Sequence, residues 1–348
     1  PIGGGQHHLP GGGLKDETIQ YLVERAKGGF GLITTGVLFT DTEIDYFDPK
    51  SMKSPLYNPT VFRRGAERLV ERLGAYDTKL FCQASMGVGR TAPGFKTPSP
   101  LPIYSIPSMT STALTTDEVK RKIELMVKTA ELYKKSGVHG IELHAVHWGY
   151  LLDQFVMAMT NQRTDEYGGT LENRMRVVKE IIEGIHQTCG DDYPISVRLG
   201  LKSYVKAFNK ASLTGENEAG RTLEEGIEIC KMLESYGVNA LSVDVGTYDS
   251  FYYACPPAYM PKGHGLELYA KAKEAVKIPI LAGSRMGDPW ICAKALRDGQ
   301  ADAFVLSRPS LADPEFPKKT ELGMPEKIRP CIGCNFGCIG RVEDQGLP

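Results

Sequence analysis

Two kinds of run alternate along the chain. Short stretches of β-branched and apolar residues predict strands, and longer stretches with an apolar residue every three or four positions predict helices. The strand candidates are GLITT (31–35), LFCQA (80–84), GIELH (140–144), ISVRL (195–199), ALSVDV (240–245), IPILA (278–282) and AFVLS (303–307). Helical spacing marks TIQYLVERAKG, TVFRRGAERLVERLGAY, TDEVKRKIELMVKTAELYKKSG, LENRMRVVKEIIEGIHQT, LEEGIEICKMLESYG, LELYAKAKEAV and PWICAKALRDG. Gly137, Gly237 and Gly299 follow helix candidates, where a left-handed glycine commonly ends the helix.

Strict alternation of strand and helix predicts a parallel sheet covered by helices. The strands read as short and apolar on both faces, as buried parallel strands should be. A closed (β/α)8 TIM barrel needs one strand more than the seven counted, and its natural place is just before Pro1. The competing architecture, an open doubly wound sheet, usually carries a glycine-rich turn between strand and helix. The match at Gly87-Val88-Gly89-Arg90-Thr91-Ala92 runs into Pro93 instead of a helix, so it does not read as a dinucleotide site.

Charge narrows the class of partner. The 348 residues hold 41 basic and 42 acidic side chains with no basic stripe, which argues against nucleic acid and anionic membrane surfaces and leaves a small-molecule substrate. No run reaches the ~18 apolar residues of a membrane span, and PIGGGQHHLPGGG has neither the charged start nor the apolar core of a signal peptide, so a soluble, cytoplasmic protein is expected. Self-association into a homo-oligomer stays open. Five of the eight cysteines are scattered through apolar segments and read as buried, reduced thiols. Cys331, Cys334 and Cys338 instead form a tight cluster in RPCIGCNFGCIGRVEDQGLP, although thiolate metal sites usually use four ligands. The chain opens on Pro1 without an initiator methionine, and both ends are expected to be cut.

Barrel active sites lie at the carboxyl ends of the strands. Gln83, His144, His147, Arg198 and Tyr248 are placed there, with Gly283 and Ser284 after the sixth strand and Ser307 and Arg308 after the seventh. The last two loops, LAGSRMGDP and VLSRPSLADP, combine small residues with an arginine ahead of a helix start, which suits a phosphate as well as ordinary turn chemistry. His144 and His147 could be half of a metal site, but no third ligand is placed with them. Hydrogen bonding to a substrate oxygen, with Tyr150 as proton donor, fits a barrel mouth better.

These residues carry a family resemblance. The run HAVHWGYLLDQFVMAMTNQRTDEYGGTLENRMR, followed in order by VRLG, AGSRMGDP and LSRPSLADP, resembles the Old Yellow Enzyme family of FMN-dependent ene-reductases. The terminal CIGCNFGC is similar to the segment of the 2,4-dienoyl-CoA reductase branch in which an FMN barrel leads into a [4Fe–4S] cluster and then FAD- and NAD(P)H-binding domains. The resemblance implies an FMN-binding barrel over 1–325 and the start of an iron–sulfur segment over 326–348, with the fourth cysteine beyond Pro348. It implies that Gln83 and Arg198 bond the flavin pyrimidine, that Gly283, Ser284, Ser307 and Arg308 cradle its phosphate, and that Pro1, Ile2 and Gly3 lie beside the ring. Cys331, Cys334 and Cys338 become cluster ligands. Electrons would pass from NAD(P)H to FAD, to the cluster, to FMN, and then to an activated C=C bond of an enone, enoate or enoyl-CoA. His144 and His147 would stabilise the developing enolate, and Tyr150 would protonate the α-carbon.

The chain departs from the pattern in three places. Where many relatives read H-x-x-H-G-Y, Trp148 stands between His147 and Gly149, so the histidines or Tyr150 must shift. Where dienoyl-CoA reductases carry a second proton-donating histidine, GTYDSFYY offers Tyr248, an acid with an unperturbed pKa near ~10. Gly3 gives no side chain where some relatives have Cys or Thr. An amine dehydrogenase of the trimethylamine type is the nearest rival, but its first cysteines are spaced C-x2-C-x2-C, against C-x2-C-x3-C here. A zinc-stabilised, non-redox barrel is the rival from another class. The long polar loops at about 94–112 and 203–220 suit substrate covers, and direction and substrate stay open.

Overall fold

The computed structural model describes residues 8–9, 13–45 and 54–340. Pro1, Ile2 and Gly3, expected beside a flavin ring, lie outside the described residues. Seven parallel strands follow one another in the sheet: β1 (Leu32–Thr34), β2 (Lys79–Ser85), β3 (Gly140–His144), β4 (Ile195–Gly200), β5 (Ala240–Asp244), β6 (Ile280–Ala282) and β7 (Ala303–Phe304). A further short strand, Leu38–Phe39, pairs with the end of β2. The intervening helices are α1 (Asp16–Lys27), α2 (Pro59–Gly74), α3 (Thr116–Lys135), α4 (Leu171–Cys189), α5 (Leu223–Ser235), α6 (Leu266–Ala275) and α7 (Pro289–Arg297). The end strands β1 and β7 border one cavity of about 660 Å³ that also reaches Glu142, Ser196 and Ser242 in the middle of the sheet, so the sheet is curled as in an α/β barrel.

Local chemistry explains the helix ends. Thr115 caps α3 in a reciprocal box with Glu118, Thr170 and Thr222 cap α4 and α5 through their hydroxyls, and Asp288 caps α7 ahead of Pro289. Gly137, Gly237 and Gly299 take φ of 74°, 91° and 67°, the left-handed values expected after helix ends. No described helix is long and apolar enough to cross a membrane.

The strands differ from the sequence reading in one respect that matters for the site. The central strands β3, β4 and β5 are buried almost throughout, but only their outer side is apolar. Ile141, Leu143, Val197, Leu199, Leu241 and Val243 join the core, whereas the alternate residues Glu142, His144, Ser196, Arg198, Ser242 and Asp244 are polar and equally buried. Register aligns them in layers: Gln83 beside Glu142, His144 beside Arg198, and Arg198 beside Ser242. A polar interior at the carboxyl ends is affordable only because these groups bond one another.

The loop expected over 94–112 is tied down rather than free. Thr97 and Ser111 share a 2.6 Å hydroxyl contact, and Arg163 donates to the Pro98 and Leu114 carbonyls. Arg163 is itself fixed by Asp165, whose carboxyl it holds down to about 2 against an ordinary 3.8. The folded chain therefore binds fewer protons here than the unfolded one, so this contribution is complete above pH 3.8 and is lost as pH falls towards 2. Asp165→Asn should lower stability by roughly 1–3 kcal/mol at neutral pH. Urea midpoints should show the difference from the parent narrowing once the pH drops below the ordinary carboxyl value; a constant difference down to acid pH would refute the pairing.

Candidate active site

The carboxyl ends of the strands surround a cavity of about 190 Å³. Gln83, His144, His147, Tyr150, Arg198, Tyr248, Ser284, Ser307 and Arg308 all line it, so the tertiary fold brings together residues spread over more than two hundred positions. Gly283 closes β6 beside them, its N–H donating to Val243 O at 2.8 Å. Any Cβ there would lie 3.0 Å from that carbonyl and 3.3 Å from the Arg198 guanidinium, so the backbone stays bare at this point.

Sequence reasoning missed the residue at the centre. Asp244 is 2% exposed and accepts from Arg198 Nη2 at 2.5 Å, while its Oδ2 lies 2.9 Å from His147 Nε2. Arg198 also donates to Ser242 Oγ at 2.7 Å, and Gln83 Nε2 donates to Glu142 Oε1 at 2.6 Å. The signal was present as period-two alternation in GIELH and ALSVDV, where Glu142, His144, Ser242 and Asp244 fall on one face.

Electrostatics then set the histidines. Burial pushes the Asp244 carboxyl up, but the nearby Arg198 and His147 outweigh it and hold it below its usual range. Burial lowers His147 despite Asp244, and it lowers His144 well below the ordinary value, helped by His147 and Arg198. The close contact to the carboxylate favours one proton arrangement for the neutral pair. His147 Nε2 gives its proton to the ionised carboxylate, which at 2.9 Å is nearer than Arg198 Nε at 3.3 Å. His147 Nδ1 must then accept, and His144 Nε2, 2.9 Å away, donates to it. His144 Nδ1 is left as a buried acceptor with no partner among the described residues.

Trp148 lies in the turn after β3. Trp148 and Gly149 both take left-handed backbone, φ 57° and 73°, and Trp148 bridges to Thr247. Gly149 N–H donates to Asp153 Oδ2 at 2.7 Å, which starts the short helix Leu151–Val156 at Tyr150. His144 and Tyr150 rings lie 4.6 Å apart, and Tyr150 stacks on Tyr248 at 5.9 Å and 15°. Tyr248 is placed by its neighbour Asp249, which Arg90 holds at 2.8 Å in a pair almost fully removed from solvent. Arg90 belongs to the Gly87–Ala92 stretch, where a Cβ on Gly89 would strike Gln154 at 2.4 Å, so this glycine serves close packing.

At the far end of the cavity Ser284 and Arg285 are both left-handed, with φ of 63° and 57°. Ser284 Oγ lies 3.0 Å from His264 Nε2, and burial pushes His264 down to about 4. Arg285, Lys262 and Cys255 also line the cavity, three residues not singled out from the sequence. Cys331 borders it, Cys334 is exposed and Cys338 is buried. Among the described residues no group of three His, Cys, Asp or Glu side chains is gathered as a metal site. Backbone N–H groups of Phe336 and Gly337 lower the Cys334 thiol, which favours the thiolate form that binds metals.

A side-chain amide and a guanidinium at one end, bare backbone beside them, and hydroxyls with arginines at the other fit a flat polar ring with a phosphate tail. Fold and pocket together thus define an α/β barrel with a polar cavity at the carboxyl ends of its strands. The chain belongs to the NADH:flavin oxidoreductase / NADH oxidase family, which it matches over residues 1–327. It is 42% identical to a cinnamate reductase of Clostridium sporogenes across 99% of this chain and 53% of that protein, and 36% identical to an NADH oxidase of Thermoanaerobacter brockii across 97% and 50%. A solved 2-naphthoyl-CoA reductase complex superposes with a TM-score of 0.84 at 30% identity, covering 98% of this chain and 52% of that one. The chain spans about half the length of these relatives. The family makes FMN the flavin that this pocket is expected to hold.

Asp244→Asn should cost roughly 3–5 kcal/mol, because Arg198 is left as a buried cation without its counter-charge. The double variant R198M/D244N should recover much of that loss in urea denaturation of the flavin-free protein; strictly additive losses would show that the two residues do not act as a pair.

Proposed function

We propose that this chain is the flavin-binding catalytic part of an oxidoreductase that reduces an activated C=C bond of an α,β-unsaturated carbonyl compound. The observation that carries this reading is the cavity that joins Arg198, the His144–His147 pair, Tyr150 and Tyr248 to the Ser284, Ser307 and Arg308 end. When bound, FMN supplies hydride. Gln83 and Arg198 would hold the pyrimidine edge, with Arg198 favouring negative charge there, and Gly283, Ser284, Ser307 and Arg308 would hold the phosphate. In the intact protein Cys331, Cys334 and Cys338 would supply thiolate ligands to a [4Fe–4S] cluster, which, with FAD and NAD(P)H sites, would supply electrons to the flavin.

Chain residues then handle charge and protons. Enolate charge developing on a substrate oxygen needs a hydrogen-bond donor in a site closed to water. The neutral His144–His147 pair offers only an acceptor, His144 Nδ1, so donation requires one added proton, which Asp244 at 2.9 Å from His147 stabilises. Tyr150 delivers the proton to the α-carbon, and Tyr248, stacked on it, is placed to take part in the same transfer.

Oxidation of the reduced flavin by an enone or an enoyl thioester, followed in stopped flow, tests the reaction; exchange of electrons with amines alone would favour the amine dehydrogenase reading. Tyr150→Phe should lower the rate of alkene reduction by about 10²–10⁴-fold while leaving flavin binding intact. Both histidines are depressed from 6.5 by burial, so the protonated pair becomes scarcer as pH rises. Alkene reduction should accordingly slow as pH rises, with the limb lying below the ordinary histidine value of 6.5, and Asp244→Asn should move that limb to lower pH. A limb unmoved in the variant would remove the histidine pair from this role.

A further inference from the structure

The cysteine segment does more than carry thiols: it forms part of the cavity wall. Asn335, in left-handed backbone at φ 60°, reaches across to two separate elements. Its Nδ2 donates to Cys255 O at 2.8 Å, and its Oδ1 accepts from Arg308 Nη1. The same Arg308 nitrogen lies 3.0 Å from Pro256 O, so one amide and one carbonyl hold the guanidinium at the cavity edge. Arg285 is held alongside, with Nη2 donating to Ala258 O at 3.1 Å. Gly333 lets the segment approach: a Cβ there would sit 2.2 Å from Arg285 Nη1.

We infer that Asn335 is a positioning residue for the cofactor phosphate, orienting Arg308 and locking the Cys255–Ala258 loop through a single side-chain amide. This rests on the reading of the cavity as the FMN site. A neutral amide suits the task. It accepts from the guanidinium without cancelling its charge, whereas a carboxylate would pair with Arg308 and compete with a phosphate. The amide also spans donor and acceptor roles at once, which neither aspartate nor serine can do at this reach. Cofactor retention is thereby coupled to the docking of the cysteine segment, independently of any metal the thiols hold.

The test uses the full-length protein, with the FMN dissociation constant read from flavin fluorescence and iron measured on the same sample. Asn335→Ala should weaken FMN about tenfold, the effect of one lost charge-assisted contact, at unchanged iron content. Asn335→Asp should weaken it further. Unaltered FMN affinity in both variants, with Arg308→Ala still losing FMN, would overturn the inference and leave the FMN site standing. FMN loss that follows iron loss in proportion would also overturn it, because the segment would then act through its metal. A parent protein that binds no FMN, or an Arg308→Ala variant that binds it normally, would overturn the cofactor reading itself and the inference with it.

Discussion

A buried cation needs a buried anion, and at the centre of this barrel the pair is Arg198 and Asp244, 2.5 Å apart with almost no exposure. Everything at the carboxyl end of the sheet is arranged around that neutralisation. Removing the pair from water costs several kcal/mol per ion, which only close geometry and additional hydrogen bonds offset. Ser242 satisfies one side of the guanidinium and His147 one side of the carboxylate. The carboxylate then dictates the proton positions on both histidines, so a buried charge in the cavity wall decides what His144 can offer to a ligand.

The same device recurs in the loops above the sheet. Arg221 and Asp153 are both fully buried, 2.7 Å apart, and tie the Trp148–Gly149 turn to the Gly200 carbonyl at the end of β4. Lys122 on α3 sits between Asp41 and Asp45 and fixes the loop after β1. Arg90 and Asp249 do likewise for the turn that carries Tyr248, with Asn209 as a third partner. Breaking one side of such a pair leaves an uncompensated charge, so these loops are held as firmly as the sheet. Rigid loops would serve the proposed reaction, because hydride and proton transfer both depend on placement within a fraction of an ångström.

The polar inner face of the strands suits a barrel that houses a site. A barrel that served only as a scaffold would fill its interior with branched apolar side chains. Here the layer formed by Gln83, Glu142, His144, Arg198, Ser242 and Asp244 replaces them, and its internal bonds make the substitution tolerable. Seven helices carry the compensating apolar burial on the outside, where Phe62, Leu69, Ile181, Ile229 and Tyr269 are all sealed from solvent.

The sequence by itself determined the order of strands and helices, because period-two and period-3.6 patterns depend only on neighbours along the chain. It also located the strand-end residues Gln83, His144, Arg198, Ser284 and Arg308, since a parallel barrel places all carboxyl ends on one side. Partners were not legible. Asp244 stands in a run read as uniformly apolar, and only the register between β4 and β5 brings Ser242 and Asp244 to Arg198. Trp148, which stands as an insertion in the family pattern, sits in a turn of two left-handed residues, a backbone choice that a sequence pattern does not encode. Asn335 lay unnoticed between two cysteines. Its contacts to Arg308 and Cys255 span 27 and 80 positions, and separations of that length are decided only when the chain closes on itself.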